Sequence, residues 1–344
     1  MKRSRQAAFA ALCLVAGMGL GATSRAEPVG DFYRGKTMRV IIGYGVGGGY
    51  DLYGRIVAEF LGRHIPGNPT IVAQNMPGAG GFTAAAYLYN VAAKDGTFLG
   101  SVSETLALDP AIAKESDRKI DTRRLPYLGR LTTNIEIGVA RPGSKITSLD
   151  DARHREIAVG ASGPASATNL YPLALNRFSG TKFKLVRGYT SVNEILLATE
   201  RGEVELAGAV GLPYLLTSHP DWVHEGKATI IYQGALRRHS LLANVPLLQE
   251  FAVNDEGRLV LHAVASTSEV GKSIQTTPDV PAERVEVLRR AFQDMLRDPD
   301  FLAAAEARGM MIDPGTGERM DAIVQETMQL PRLVLNTLAE LLKE

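Results

Sequence analysis

The sequence predicts an α/β protein of two domains, and three observations carry this. Short β-branched runs alternate with amphipathic helical runs across residues 37–232. Two glycine-rich loops, around Gly47 and Gly80, each follow such a strand and precede such a helix. The length of 344 residues is more than one small core organises. A hydrophobic fraction of 45% with 22% charged residues provides enough apolar surface to offset ordering entropy, which excludes general disorder. With 38 basic against 37 acidic residues there is no cationic excess for nucleic acid. A single cysteine excludes a disulfide scaffold.

The N-terminus reads as an export signal over residues 1–26. Lys2, Arg3 and Arg5 form a basic start, Ala7 to Ala22 is uncharged, and Ser24-Arg25-Ala26 offers small residues at a cleavage site. The uncharged stretch of 16 residues is short for a membrane span, which needs roughly 20. Cleavage would make Glu27 the first residue, remove Cys13, and turn the net charge of +1 into −3 by loss of Lys2, Arg3, Arg5 and Arg25. Ile65 to Ala93 is also uncharged, but Pro66, Pro69, Pro77 and a glycine cluster interrupt it. The reading is a soluble protein exported to a bacterial periplasm.

The elements follow in order. Residues 37–43 form a buried strand, and Leu52, Ile56, Val57, Phe60 and Leu61 then recur at helical spacing. Asp51 falls in the first turn of that helix, where a carboxylate meets free N–H groups and the positive dipole end. Pro66-Gly67-Asn68-Pro69 is a turn, residues 70–73 a second strand, and Ala84 to Ala93 the next helix. This order implies a parallel sheet wrapped by helices. The pattern repeats with a strand at 156–160, a small-residue loop at 161–167 and a helix at 169–178. A strand at 182–188, a helix at 192–200 and a strand at 228–232 follow. The C-terminal region is helical, with Pro281 and Asp298-Pro299 opening helices and Pro331 interrupting the last.

Chemistry concentrates in the loops. Gly43, Gly45 and Gly48 match G-x-G-x-x-G between a strand and a helix, the context of a dinucleotide site. The acid that would bind the ribose is missing, however, since Gln74 and Asn75 stand at the end of the second strand. No cofactor is expected. Glycines still admit a ligand close to the backbone, and N–H groups at a helix N-terminus hold an anion. The second loop, Pro77 to Thr83, leaves the neighbouring strand, so the two loops form one crevice. Enzyme signatures fail. There is no G-K-[ST], Pro164 spoils a G-x-S-x-G at Gly160 to Pro164, and the six histidines contain no H-E-x-x-H. No metal site is expected, and Trp222 reads as a packing residue.

These loops resemble the extracytoplasmic solute receptors of tripartite tricarboxylate transporters, the Bug-type receptors. Val40-Ile41-Ile42 with Gly47-Gly48-Gly49 and Asp51, then Gln74 to Gly81, are similar to the family's P-G-G-x-x-D and E-N-x-P-G-A-G-G loops. Ala93 to Thr97, Asn244-Val245-Pro246 and Asp298 to Phe301 resemble its later elements. The resemblance implies a type II periplasmic-binding-protein fold, two α/β domains joined by two crossing strands. Domain 1 would be 27–134 plus 236–344, and domain 2 the inserted 135–235. It also implies that both glycine loops hold a carboxylate by backbone N–H groups. The candidate ligand-binding residues are Tyr44, Gly47, Gly48, Gly49, Asp51, Gly78, Gly80, Gly81, Phe82 and Ser103 from domain 1. From domain 2 they are Ser162, Ser166, Thr168 and Tyr189.

Several positions depart from the family pattern. Ala165 replaces a glycine, Asn169 a histidine, and Tyr189-Thr190-Ser191 lacks a usual lysine. The acid or amide expected near Gly208 to Gly211 is absent, and Tyr44 replaces a common Phe. Residues 43–51, 77–84 and 161–170 hold no Lys or Arg, so an anion there would rest on N–H dipoles and hydroxyls. On that reading a side chain forced into Gly48 or Gly80 costs at least ~10-fold in affinity, and Ser166→Ala less. The implied function is capture of a small organic acid by a monomer that delivers it to integral-membrane transporter subunits, with no catalysis and no nucleic acid. A ligand-presenting receptor for a sensor kinase and an exported hydrolase using Ser162 or Ser166 are the alternatives.

Overall fold

The computed structural model describes residues 29–109 and 120–343. The export signal, with Cys13 and Glu27, lies outside the described residues. The first strand, β1 (Thr37–Ile42), is a β-branched run whose buried side chains Met38, Val40, Ile41 and Ile42 face helices on both sides. It pairs in parallel with β2 (Thr70–Asn75) and β3 (Phe98–Ser101). β4 (Tyr127–Thr132) leads across residues 133–135 into β5 (Glu136–Ala140). Then come β6 (Ile157–Ala161), β7 (Phe183–Arg187), β8 (Leu206–Gly211) and β9 (Thr229–Gly234), followed by β10 (Lys272–Thr276) and the short β11 (Gly315–Thr316).

Two sheets result. One has the order β11-β4-β10-β3-β1-β2 and the other β7-β6-β8-β5-β9. The chain changes sheet twice, between β4 and β5 and between β9 and β10. Each sheet is mixed, which corrects the expectation of a parallel sheet. β1–β3 and β6–β8 pair in parallel, whereas β10 runs antiparallel to β3 and β4, and β5 antiparallel to β8 and β9. The reason is connectivity. β5 and β10 enter their sheets from the other domain and not through a helical crossover, so the βαβ rule does not bind their direction.

The helices Gly49–Phe60 and Ala282–Met295 share the core of the first sheet. The helix Ala167–Ser179 covers the second. Here the boundaries inferred above need amending. The helices Asp255–Ser266 and Arg332–Leu341, assigned with domain 1, bury Val260, Leu261, Val264, Val334, Leu338 and Leu341 in the core of the second sheet. Their apolar stripes pack on the buried helix Ala167–Ser179, a pairing that the position in sequence does not reveal. On the opposite face of that sheet the helix Val192–Arg201 packs with Trp222, which is buried. Among the described residues no helix is long and apolar enough to cross a membrane.

Candidate functional site

Both glycine loops leave the ends of adjacent parallel strands and meet the second domain face to face. Gly45 N–H donates to Thr190 O at 2.9 Å across the crevice. Thr105 Oγ1 donates to Ala165 O at 2.5 Å. Gly80 (φ +68°) abuts Ser166 so closely that a Cβ there would stand 2.5 Å from Ser166 N. The arrangement is a closed jaw.

A cavity of about 40 Å³ lies inside it, room for roughly three waters. Of the sequence candidates it is lined by Tyr44, Gly48, Gly49 and Ser103 from one side and Ser162, Ser166 and Thr168 from the other. A second, more open cavity of about 270 Å³ is lined by Tyr44, Gly78, Gly80, Gly81, Ser162 and Tyr189. Tyr44 and Ser162 border both. Tyr44 is held in place by its hydroxyl, which donates to Gly80 O at 3.0 Å, and by stacking on Tyr50 at 4.6 Å. Gly49 is needed for close approach, because a Cβ there would lie 3.2 Å from Tyr214 Cβ and 3.5 Å from Lys272 Cε.

Three candidates lie in neither cavity. Phe82 opens the helix Phe82–Asn90 and faces Thr105 and Pro164 on another surface. Asp51 is buried and turned inward. It accepts hydrogen bonds from Gly47 N–H (2.9 Å), Asn75 Nδ2 (2.7 Å) and Arg55 Nε (2.9 Å). Burial works to raise its carboxyl, and the bonds from Arg55, Gly47 and Asn75 overcome this and hold it below the usual aspartate range. Asp51 is therefore a brace of the first loop. Gly47 spends its N–H on that brace and has none for a ligand. Its φ of +87° is what aims the N–H back at Asp51.

The hydroxyls of domain 2 form a closed set. Thr168 Oγ1 lies 3.0 Å from Ser162 Oγ and 2.7 Å from Ser166 Oγ, and Ser166 Oγ donates to Gly163 O at 2.7 Å.

The cavity also contains charges that the loops alone do not announce. Lys272, at the start of β10, is 4% exposed. Its Nζ lies 3.5 Å from the centre of the Tyr50 ring and 3.9 Å from Glu104 Oε2. The ammonium, which borders the cavity, is thus ion-paired with Glu104 at a distance beyond hydrogen-bond range and sits over the Tyr50 ring. Glu104 and Glu136 are both buried, and Asn134 Nδ2 bridges them at 2.8 and 2.5 Å. Glu136 pairs with Gly211 across β5 and β8, beside the residues 208–211 that lack the expected acid. The loops themselves hold no cation, and Lys272 brings one to the cavity that they border. The only available signal was a charged residue inside an otherwise apolar or polar-neutral strand, as in Glu136-Ile-Gly-Val-Ala and Lys272-Ser-Ile-Gln-Thr.

Burial and then the neighbouring Glu104 push the Glu136 carboxyl well above its ordinary value, against the pull of Lys272. Burial lowers the Lys272 ammonium, against Glu104 and Glu136. The Glu136 shift has a definite sign for stability. The folded form keeps a proton that the unfolded chain loses near 4.5, so stability falls as pH rises from there through the raised folded value. Glu136→Gln removes that penalty. Its thermal midpoint relative to the parent is expected to climb as pH rises above the ordinary glutamate value of 4.5. A gap independent of pH, read by calorimetric melting, would show Glu136 ionised in the fold.

No family model matches the sequence, and no curated protein does. Solved structures do. A TctC solute binding protein from Polaromonas, without ligand, has a TM-score of 0.58 at 20% identity over 90% of this chain and 99% of that one. An R. palustris protein with adipate has 0.67 at 17% identity over 90% and 97%. MatC from Rhodopseudomonas palustris with bound malate has 0.65 at 19% identity over 88% and 99%. The chain shares with them the two-domain fold of solute-binding proteins.

Proposed function

We propose that this chain is an extracytoplasmic receptor of the tripartite tricarboxylate, Bug-type class, which captures a small organic acid between its domains and presents it to membrane transporter subunits. The observation that carries this reading is the cavity at the domain contact, where the buried ammonium of Lys272 meets the N-terminus of the helix Gly49–Phe60. A carboxylate placed there gains the charge of Lys272 and the dipole of that helix while it is screened from water. The binding of adipate and malate by proteins of the same fold supports the substrate class. Location in the periplasm follows from residues 1–26 and accords with the fold. The hydrolase alternative finds no support, because Ser162 and Ser166 bond to Thr168 and a carbonyl and contact no base among the described residues.

A ligand that binds both domains favours the closed state by its differential affinity. A thermal-shift screen over small carboxylic acids identifies binders, and small-angle scattering at saturation then shows a smaller radius of gyration than the free protein. An unchanged radius with a tight binder would rule out the jaw.

A further inference from the structure

Three buried ionisable residues meet where the chain crosses between the sheets. Glu104 opens the short 3₁₀ helix Glu104–Leu108 after β3 of the first sheet, and Glu136 opens β5 of the second. Lys272 starts β10, just past the segment that returns to the first sheet. Asn134, in the first crossing, ties them together. Its Nδ2 donates to Glu104 Oε1 at 2.8 Å and to Glu136 Oε1 at 2.5 Å, so the two carboxyls share one nitrogen. Its N–H donates to Ser268 O at 3.1 Å in the returning segment. Gly211 leaves room for it, since a Cβ there would collide with Asn134 Oδ1. The other two carboxyl oxygens, Glu104 Oε2 and Glu136 Oε2, are fully buried and have no donor.

One ammonium against two carboxylates leaves this buried site with a net negative charge. One proton on the acid pair cancels that charge and gives an orphan oxygen an O–H. Glu104 is the partner ion-paired with Lys272, at 3.9 Å, so the proton falls to Glu136. Burial and then Glu104 hold the Glu136 carboxyl above its ordinary value. The remaining titratable groups around the pair are tyrosines. Tyr50 lies under Lys272 and its hydroxyl accepts from Glu104 N–H at 3.0 Å. Burial pushes up the hydroxyls of Tyr44, Tyr127, Tyr171, Tyr214 and Tyr232, so they stay neutral. No histidine lines either cavity of the crevice. What keeps water from the pair is the jaw. The cavity beside Glu104 and Glu136 is walled by Tyr44 and Gly48 of one domain and by Ser162 and Tyr214 of the other. When these part, water reaches the carboxyls and the proton is no longer needed.

We propose that Glu104 and Glu136 form a proton lock: the closed jaw keeps one proton on the pair and opening releases it, so that domain closure takes up a proton. This rests on the two-domain jaw of the receptor reading and adds a pH dependence to it. The sign follows. Below the ordinary glutamate value of 4.5 the proton is present in both states, and closure is indifferent to pH. Above it, closure must recruit a proton. The closed-to-open ratio then falls by up to ~10-fold per pH unit, until the closed pair itself ionises.

A jaw that can be locked tests this without a ligand. A Cβ on Gly45 would lie 3.2 Å from Thr190 Cβ across the crevice, close to the roughly 3.5–4.5 Å of a disulfide. With Cys13→Ser, the double variant Gly45→Cys/Thr190→Cys carries one cysteine pair in the full chain. Oxidation closes this jaw and reduction frees it, which scattering records as a smaller radius of gyration when oxidised. Infrared difference spectra in neutral buffer, oxidised minus reduced, are expected to show the carbonyl stretch of a protonated carboxyl. Glu136→Gln and Glu104→Gln in the same background, each with native circular dichroism, remove that band. In the free parent the radius of gyration grows as the buffer is made more alkaline, and in Glu136→Gln it does not. Oxidised and reduced forms that differ in radius but not in the carboxyl band would overturn the proton lock and leave the jaw intact, whatever the glutamine variants do. Equal radii in the two forms would overturn the jaw and the lock with it.

Discussion

Gly80→Val is expected to lower ligand affinity at least ~100-fold, about 2.8 kcal/mol at 1.4 kcal/mol per tenfold. Gly80 adopts φ +68°, a left-handed conformation that costs a β-branched residue on the order of 1–2 kcal/mol. The larger effect is steric. A Cβ at position 80 would lie 2.5 Å from Ser166 N and 2.9 Å from Ala165 C, which are backbone atoms or anchored to backbone and cannot swing aside. Gly163 approaches from the other domain in the same way, with a Cβ position 2.6 Å from Gly80 N. The two glycines let the domains touch, so a side chain at either holds the jaw open. The fold of each domain is spared, because the clash lies between domains and not within a core. Calorimetry would show the loss, and scattering would show that the variant stays expanded with the acid that compacts the parent. Full affinity in Gly80→Val would mean that the productive closed state differs from this contact.

Asp51→Ala should cost about 2 kcal/mol of stability and weaken binding roughly tenfold. The carboxylate organises three donors at once, Gly47 N–H, Asn75 Nδ2 and Arg55 Nε. Alanine leaves Gly47 N–H unpaired in a half-buried place, leaves Asn75 Nδ2 with Tyr44 O alone, and frees the turn that sets Gly48 and Gly49 against the cavity. Asp51→Asn does not rescue, because its amide nitrogen turns one acceptor into a donor facing donors. The pH dependence has a clear sign. A carboxyl held below its ordinary value stabilises the fold above that value and loses this contribution as pH falls through the folded one. The stability gap between parent and Asp51→Ala, measured by denaturant unfolding, should therefore narrow in acid. A gap that persists there, or no gap at neutral pH, would remove Asp51 from the role of brace.

The strands β1, β2, β6, β7 and β9 and the glycine loops were legible because they depend on local pattern, whereas β3, β4, β5 and β10 were not read from it. β1 and β2 are β-branched runs, the loops that follow contain the required glycines, and Asp298-Pro299 caps its helix with the Asp298 side chain accepting from Asp300 N–H. The crevice was legible too, since loops after adjacent parallel strands converge wherever the sheet forms. Local pattern could not distinguish Gly48 from Gly80. Gly48 has φ −86° and would place a Cβ 3.4 Å from Ser191, a tight but tolerable contact, so the equal cost first assigned to both positions does not hold. Nor could it tell that Asp51 turns inward while Lys272 turns toward the cavity, or that Asp255–Ser266 and Arg332–Leu341 cover the second sheet. By itself the sequence determined the alternation of strands and helices, the glycine loops and the place where they meet, because each follows from periodicity and backbone freedom within a few residues. Only the tertiary structure decided the charge of the site. Glu104, Glu136 and Lys272 come from a short 3₁₀ helix and two strands far apart in the chain, and the crossings between the sheets bring them around one cavity where their charges act on each other.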